Sequence, residues 1–338
     1  MADTTAANKD QANTSRQIKS MDTARVILVT GANGLVGMAV REQVASQKPD
    51  AGAQWVFVSS KDADLRDAAS TGALFDRVKP THVLHLAAHV GGLFANMKYQ
   101  VEFWHDNMAM QDNIFRCCKE RNVQRLVSCL STCIFPDGAP LPMGESVIMN
   151  GPPHFSNRGY AYAKRMVLML GDLYNEQYGT NFATVVPCNI FGKHDNFCIE
   201  DGHVLPGLMH KCYLAKQDNE PFVIWGSGKP MRQFIYSSDL ASLMLWYLLE
   251  SDNTDPVILA TDPEDEISIA DAAHLVAEAM GFKGEIVFDR TKADGQFQKT
   301  CSNAALRAIR PDFKFTPVHQ AIAETASWLC SNYDRCRR

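Results

Sequence analysis

VILVTGANGLVGMAV, residues 26–40, decides how the rest of the chain is read. Residues 25–30, RVILVT, form a β-branched run that halts at a glycine, which reads as a buried strand. A helical pattern, 35–47, opens directly afterwards, and Gly31, Gly34 and Gly37 span the junction with GxxGxxG spacing. The first glycine permits a tight turn, the second lets the backbone approach a pyrophosphate, and the third lets helix and strand pack closely. The helix N-terminus then offers free N–H groups to the phosphates. Glycines alone carry little weight; the strand–turn–helix setting is what makes the motif. Gly31, Ala32, Asn33, Gly34, Leu35, Val36 and Gly37 are therefore expected to hold a dinucleotide. The plainer reading is a tight turn with nothing bound.

The pattern repeats outward. WVFVSS (55–60), HVLHLAA (82–88), RLVSCLS (125–131) and FATVVP (182–187) read as further strands. Helical stretches separate them: one ending near Lys79-Pro80, one over 103–121 and one running to Tyr178-Gly179. Strands alternating with helices of about 10–15 residues define βαβ units and a parallel sheet. The expected fold is α/β, a Rossmann-type doubly wound sheet over 23–190. After about 190 the rhythm changes, and FGKHDNFCIEDGHVLPG shows little regular pattern. FVIWG (222–226), PVILAT (256–261) and GEIVFD read as strands, with a helix capped by Ser268 and closed by Gly281, and a last helix near 318–333. Residues 191–338 are expected to form mainly a smaller substrate domain, some segments returning to the Rossmann sheet. Residues 1–22, poor in large aliphatic side chains, read as a disordered lead-in.

Composition narrows the function. Of 338 residues, 46% are hydrophobic and 21% charged, a soluble globular balance. A net charge of -5 supplies no basic field for nucleic acid. No apolar run reaches the ~18–20 residues of a membrane span. The ten cysteines include no CxxC, and no secretory signal precedes them, so reduced thiols and a cytoplasmic location are expected, with no metal.

Chemistry enters with RGYAYAKRM, residues 158–166. Tyr160 and Lys164 are four apart and share a helix face, whereas Tyr162 points elsewhere. Ser131 ends the preceding strand. Carbonyl reduction needs a proton for oxygen as hydride reaches carbon. A phenol is a poor acid–base near neutrality, and a neighbouring lysine cation is expected to lower its pKa. The second strand ends Ser59-Ser60-Lys61 rather than in an acid, which suits a 2′-phosphate and predicts NADP(H). Asp64 is expected on the adenine side, or else as a helix cap.

These residues resemble the extended short-chain dehydrogenase/reductase family. HLAAHVGGLFANMKY, SCLSTCIFP, YAYAKRM, NIFGKHDNF, GHVLPGLMHK, WGSGKPMRQFIYSSDL and DGQF narrow the likeness. They are similar to its GDP-4-keto-6-deoxymannose 3,5-epimerase/4-reductases, from about residue 25 to 330. The resemblance implies a bifunctional oxidoreductase and isomerase that makes GDP-L-fucose, as a homodimer. It implies Ser131, Tyr160 and Lys164 as the reductase triad, and Cys133 and His203 as the acid–base pair of the epimerase. It further implies Leu65, Leu86, Ala87, Ala88, Thr132, Pro187, Asn189, Ile190 and His203 along the cofactor, and Lys211, Trp225, Arg232 and Asp294 around the nucleotide sugar.

A related dehydratase carries an Asp-Glu pair after its Ser/Thr; here the text is Ser131-Thr132-Cys133-Ile134. Another nucleotide-sugar epimerase or dehydratase, or an NADP-binding regulatory protein without turnover, are the competing readings.

Overall fold

The computed structural model describes residues 24–338, so the lead-in expected for 1–22 lies outside the described residues. In chain order the strands are β1 (Val26–Thr30), β2 (Gln54–Phe57), β3 (His82–His85), β4 (Arg125–Cys129), β5 (Phe182–Pro187) and β6 (Asn189–Phe191). They continue with β7 (Phe222–Trp225), β8 (Met231–Arg232), β9 (Phe234–Tyr236), β10 (Val257–Leu259), β11 (Ile267–Ser268) and β12 (Ile286–Asp289). Six make one parallel sheet in the order β10-β5-β4-β3-β1-β2. This is a Rossmann-type sheet. Its inner strands are buried without alternation because helices cover both faces; β5 is buried at every position. The strand order reverses beside β1, and ligands of such sheets bind outside the carboxyl ends at that switch point.

The helices Leu35–Gln47 and Ser237–Glu250 pack together, as do Gln100–Glu120 and Arg158–Tyr178. LASLMLWYLLE, apolar on nearly every side, lies within the buried helix Ser237–Glu250. A second hydrophobic cluster gathers β7, β9 and the helices Val204–Asp218, Ile269–Ala279 and Val318–Asn332 around Phe222, Met209, Val276 and Ile322. Ser268 caps its helix in a full capping box with Asp271, and Gly281 follows at φ 61°.

Several elements are shorter or longer than the sequence pattern indicates. WVFVSS stops pairing at Phe57 because the Ser59 N–H and hydroxyl turn to the Asp62 carboxylate, at 2.8 and 2.9 Å. HVLHLAA stops at His85 because the Leu86 and Ala87 N–H groups donate to the Thr30 hydroxyl. RLVSCLS ends its ladder at Cys129. VLPG, read as irregular, opens the helix Val204–Asp218; Pro206 sits in the first turn, where its missing N–H costs no helical hydrogen bond.

Candidate active site

The glycine loop makes a cradle whose dimensions require glycine. Gly31 has φ 67°, and a Cβ there would stand 2.7 Å from the Ala87 nitrogen. A Cβ on Gly37 would stand 2.6 Å from the Ala32 Cα. Gly31 is thus pressed against Leu86 and Ala87, just past β3, and Gly37 against Gly31 and Ala32, with no room for side chains between. Gly34 caps the helix Leu35–Gln47 without any side-chain hydrogen bond, which leaves first-turn N–H groups free for an anion. A backbone cradle at a switch point with an uncapped helix end fits a dinucleotide pyrophosphate.

The end of β2 is more crowded than its sequence suggests. The Ser59 hydroxyl donates to Asp62, while Ser60 and Lys61 are exposed. Asp64 is held by Arg66, with Oδ2 2.9 Å from Nη2, and this contact keeps its carboxyl below the usual range. The cap of the helix Ala68–Val78 is Asp67 instead, which accepts from the Ser70 N–H. Leu65 is buried beneath this corner. Arg41, which no motif singled out, lies 4.4 Å over the Phe57 ring and acts electrostatically on Asp62, as Arg77 does.

The carboxyl end of β4 and the first turn of the helix Arg158–Tyr178 form a cleft wall. Ser131 Oγ accepts the Cys133 N–H at 3.4 Å, tying the expected triad serine to the cysteine. Gly159 lets this helix end meet the Gln100 carbonyl, where a Cβ would collide. Tyr160 then rests edge-on against Phe103, centroids 6.3 Å apart. The Lys164 ammonium donates to the Cys129 carbonyl at 2.9 Å and sits 5.9 Å from the Tyr160 ring centre.

Here the structure corrects the expected electrostatics. Burial, reinforced by Cys133 and Cys129, pushes the Tyr160 phenol well above its ordinary pKa, and Lys164 does not offset it. Burial likewise lowers the Lys164 pKa. Desolvation of the enclosed phenol sets the direction. The raised pKa favours the protonated phenol. Burial raises the Cys133 thiol too, opposed by the nearby Ser131 hydroxyl and by Lys299 and Lys164. A small cavity lined by Thr132, Cys133, Asp137, His154, Gln296 and Lys299 opens at this point. Lys299 and His154 had escaped notice because QKT and PPHF match no chemical spacing; only the tertiary fold brings them to Cys133.

His203 ends the loop before the helix Val204–Asp218 and is its N-cap residue, reached by solvent yet surrounded by protein, which lowers its pKa. A Cβ on Gly92 would stand 2.9 Å from the Asp201 carbonyl, so this loop leans on the segment after β3. No hydrogen bond or ion pair joins His203 to Cys133 or Tyr160 among the described residues. The Asn189 amide donates to the Gln233 carbonyl at 2.8 Å, Pro187 is buried, and Ile190 packs on the main core. Leu86, Ala87 and Ala88 are part-buried facing the cradle, with Thr132 buried behind Cys133.

The residues expected around the nucleotide sugar fall into two groups. The Lys211 ammonium sits 3.3 Å from the centre of the exposed Trp225 ring, and Asp294 accepts from the neighbouring Ser227 hydroxyl at 2.8 Å. Arg232 is tied to the Met231 and Gln296 carbonyls, each at 2.7 Å, and its Gln296 contact leads to the Cys133 cavity.

A glycine cradle at a switch point beside a Ser–Tyr–Lys wall defines the class: the chain belongs to the NAD dependent epimerase/dehydratase family, whose model matches residues 27–260, within the extended short-chain dehydrogenases/reductases. Inside that class its relatives are the GDP-L-fucose synthases. It is 53% identical over 314 residues to "GDP-L-fucose synthase" of Dictyostelium discoideum, covering 93% of this chain and 98% of the relative. It is 46% identical to the "probable GDP-L-fucose synthase" of Drosophila melanogaster, covering 92% and 99%. The crystal structure of a GDP-L-fucose synthetase from Naegleria fowleri bound to NADP matches with TM-score 0.89 and 49% identity over 95% of this chain and 96% of that one.

Proposed function

We propose that this chain is a GDP-L-fucose synthase. It inverts C3 and C5 of GDP-4-keto-6-deoxy-D-mannose and then reduces the C4 ketone with NADPH. The observation that carries the reading is the convergence of Ser131, Cys133, Tyr160 and Lys164 on one wall beside the glycine cradle. Bound NADPH would supply hydride to C4, held by residues 31–37, 86–88 and the Ser60-Lys61 corner.

The carbonyl between C3 and C5 acidifies the proton on each. Cys133 removes it from one face, and His203 returns one to the other. Because burial favours the neutral thiol, Cys133 depends on the Ser131 hydroxyl and on the Lys299 and Lys164 cations to act as a base. Lys299 also suits the enolate oxygen that each deprotonation creates. In the reduction, Ser131 donates a hydrogen bond to the carbonyl oxygen, and Tyr160 gives it a proton. Lys211, Arg232, Trp225 and Asp294 hold the GDP part, Arg232 as a planar donor for the diphosphate.

We further read residues 23–190 as the NADP domain and 191–338 as mainly the substrate domain, Val257–Leu259 being shared back to the sheet. Met169 and Leu173, exposed one turn apart on the helix Arg158–Tyr178, support a homodimer across this helix and Gln100–Glu120. Ten free cysteines support a reducing, cytoplasmic setting. Among the described residues no helix is long and apolar enough to cross a membrane.

The test is NADPH oxidation with GDP-4-keto-6-deoxymannose, the product identified by NMR, and solvent deuterium uptake at C3 and C5. Cys133→Ser should abolish uptake. Tyr160→Phe should lower reduction by about 10²–10⁴ while uptake persists. Equal loss of both activities in Tyr160→Phe would undo the division of roles.

A further inference from the structure

Arg165 follows the triad lysine in sequence and is 3% exposed. No carboxylate pairs with it among the described residues. A buried charge without a counter-ion is costly unless its polar atoms find partners. Each of the three guanidinium nitrogens finds one, in every case a main-chain oxygen. Nε donates to the Ile134 carbonyl at 2.9 Å, Nη2 donates to the same oxygen, and Nη1 donates to the Gly151 carbonyl at 2.7 Å. The plane also lies 5.4 Å from the Tyr162 ring, on its own helix.

These two carbonyls belong to the segments that carry the epimerase wall. Thr132–Ile134 is a single 3-10 turn with Cys133 at its middle. Ser131 holds its near end through the Cys133 N–H, and Arg165 holds its far end at Ile134. Gly151 belongs to a second loop zipped to the first, where the Asp137 N–H donates to the Pro152 carbonyl at 2.9 Å and Pro136 bridges Pro153. An apolar side chain could fill the same space, but it could not fix the direction of two carbonyls. The planar fork can.

We propose that Arg165 is a positioning residue for epimerisation, which rests on the reading of Cys133 as the base. It fixes the turn that aims the Cys133 thiol from the same helix that carries Tyr160 and Lys164. The aim of the thiol relative to C3 and C5 therefore follows the triad helix rather than the loop. Tyr160 and Lys164 hold their own places without Arg165, through Phe103 and the Cys129 carbonyl.

The two half-reactions separate experimentally. Deuterium wash-in from D2O at C3 and C5 of GDP-4-keto-6-deoxymannose, with NADP+ present, reads the thiol. Oxidation of GDP-L-fucose by NADP+, followed as early NADPH fluorescence, reads hydride transfer on a sugar that needs no inversion. Arg165→Gln should slow wash-in by about tenfold to a hundredfold, the scale of a misplaced reacting group, and leave GDP-L-fucose oxidation within about twofold. Arg165→Lys, which keeps the cation and one donor, should recover part of the wash-in. If Arg165→Gln gives no cooperative melt, Arg165→Lys decides alone: partial loss of wash-in with intact oxidation supports the role. Unchanged wash-in, or equal loss of both reactions, overturns it. Cys133→Ser serves as the control: wash-in that survives there sinks the reading of the base, whereas loss there with survival in Arg165→Gln sinks only the role of Arg165.

Discussion

Thr30 and His85 are partners in register on neighbouring parallel strands, and their side chains meet with Oγ1 2.8 Å from Nδ1. The same Thr30 oxygen accepts the Leu86 and Ala87 N–H groups at 3.1 and 3.2 Å, so its own proton points to His85. That fixes the imidazole tautomer with Nδ1 as acceptor. The pair joins the floor of the glycine cradle to the segment opposite it. Thr30→Val leaves two N–H groups and the imidazole nitrogen unsatisfied, which costs about 1–3 kcal/mol for each buried group. A melt lowered by several degrees and weaker NADPH binding, by titration of fluorescence, are expected.

Acid should destabilise the fold through histidines. Burial depresses His85 to about 3 and His82 to about 4. Between those values and the ordinary 6.5 the unfolded chain binds more protons, so stability is full above pH 6.5 and falls as pH drops. Asp195 acts in the opposite sense. Burial raises its carboxyl to about 7, so its folded form takes up a proton the unfolded chain lacks and gains stability as pH falls from 7 towards 3.8. Asp195→Asn should therefore steepen the loss of melting temperature below pH 6.5, and His85→Gln should flatten it. An Asp195→Asn profile parallel to the parent would refute the opposing sign.

Lys211 should set an alkaline limit on substrate binding. Desolvation, with Lys292 nearby, pulls its pKa down to about 8. As a neutral amine it no longer attracts a diphosphate. KM for the GDP-sugar is expected to rise above pH 8 while kcat at saturation holds. Lys211→Arg should move the rise upward, since a guanidinium stays charged there. A KM flat from pH 7 to 9 in the parent chain would exclude Lys211 as the controlling group.

Cofactor choice should depend on Arg41 as well as Lys61. Both offer a cation near the end of β2, and Asp62 already occupies the Ser59 hydroxyl. Lys61→Ala combined with Arg41→Ala should reduce the preference for NADPH over NADH by about tenfold or more, one lost charge contact being worth around a factor of ten. Steady-state ratios of kcat/KM for the two cofactors measure it.

The sheet was legible because its strands are buried on both faces and bounded by glycine or proline, as in Val26–Thr30 and Phe182–Pro187. Ser268 and Gly281 marked one helix correctly because capping is local chemistry. Strand ends were not legible, since they depend on side-chain hydrogen bonds that the hydrophobic pattern does not mark: Thr30, distant in sequence, ends β3, and Asp62, three residues past Ser59, ends β2. The site divides in the same way. Tyr160 and Lys164 share a helical spacing that can be seen in the text, but their proton affinities come from surroundings that cannot. Lys299 and Arg165 reach Cys133 only through tertiary packing, and a lone basic residue in either stretch reads as solvated surface.

One strand bears on how the protein is made. β10, from Val257–Leu259, completes the sheet beside β5. A ribosome that has released residue 190 has already delivered Ser131, Cys133, Tyr160 and Lys164. Yet the nascent sheet still presents β5 as an unpaired, mainly apolar edge, the kind of surface that recruits other chains. Synthesis must run on through the whole middle of the second cluster before that edge is covered. A stop codon anywhere in that interval leaves a sticky fragment, although Ser131, Cys133, Tyr160 and Lys164 are all present in it.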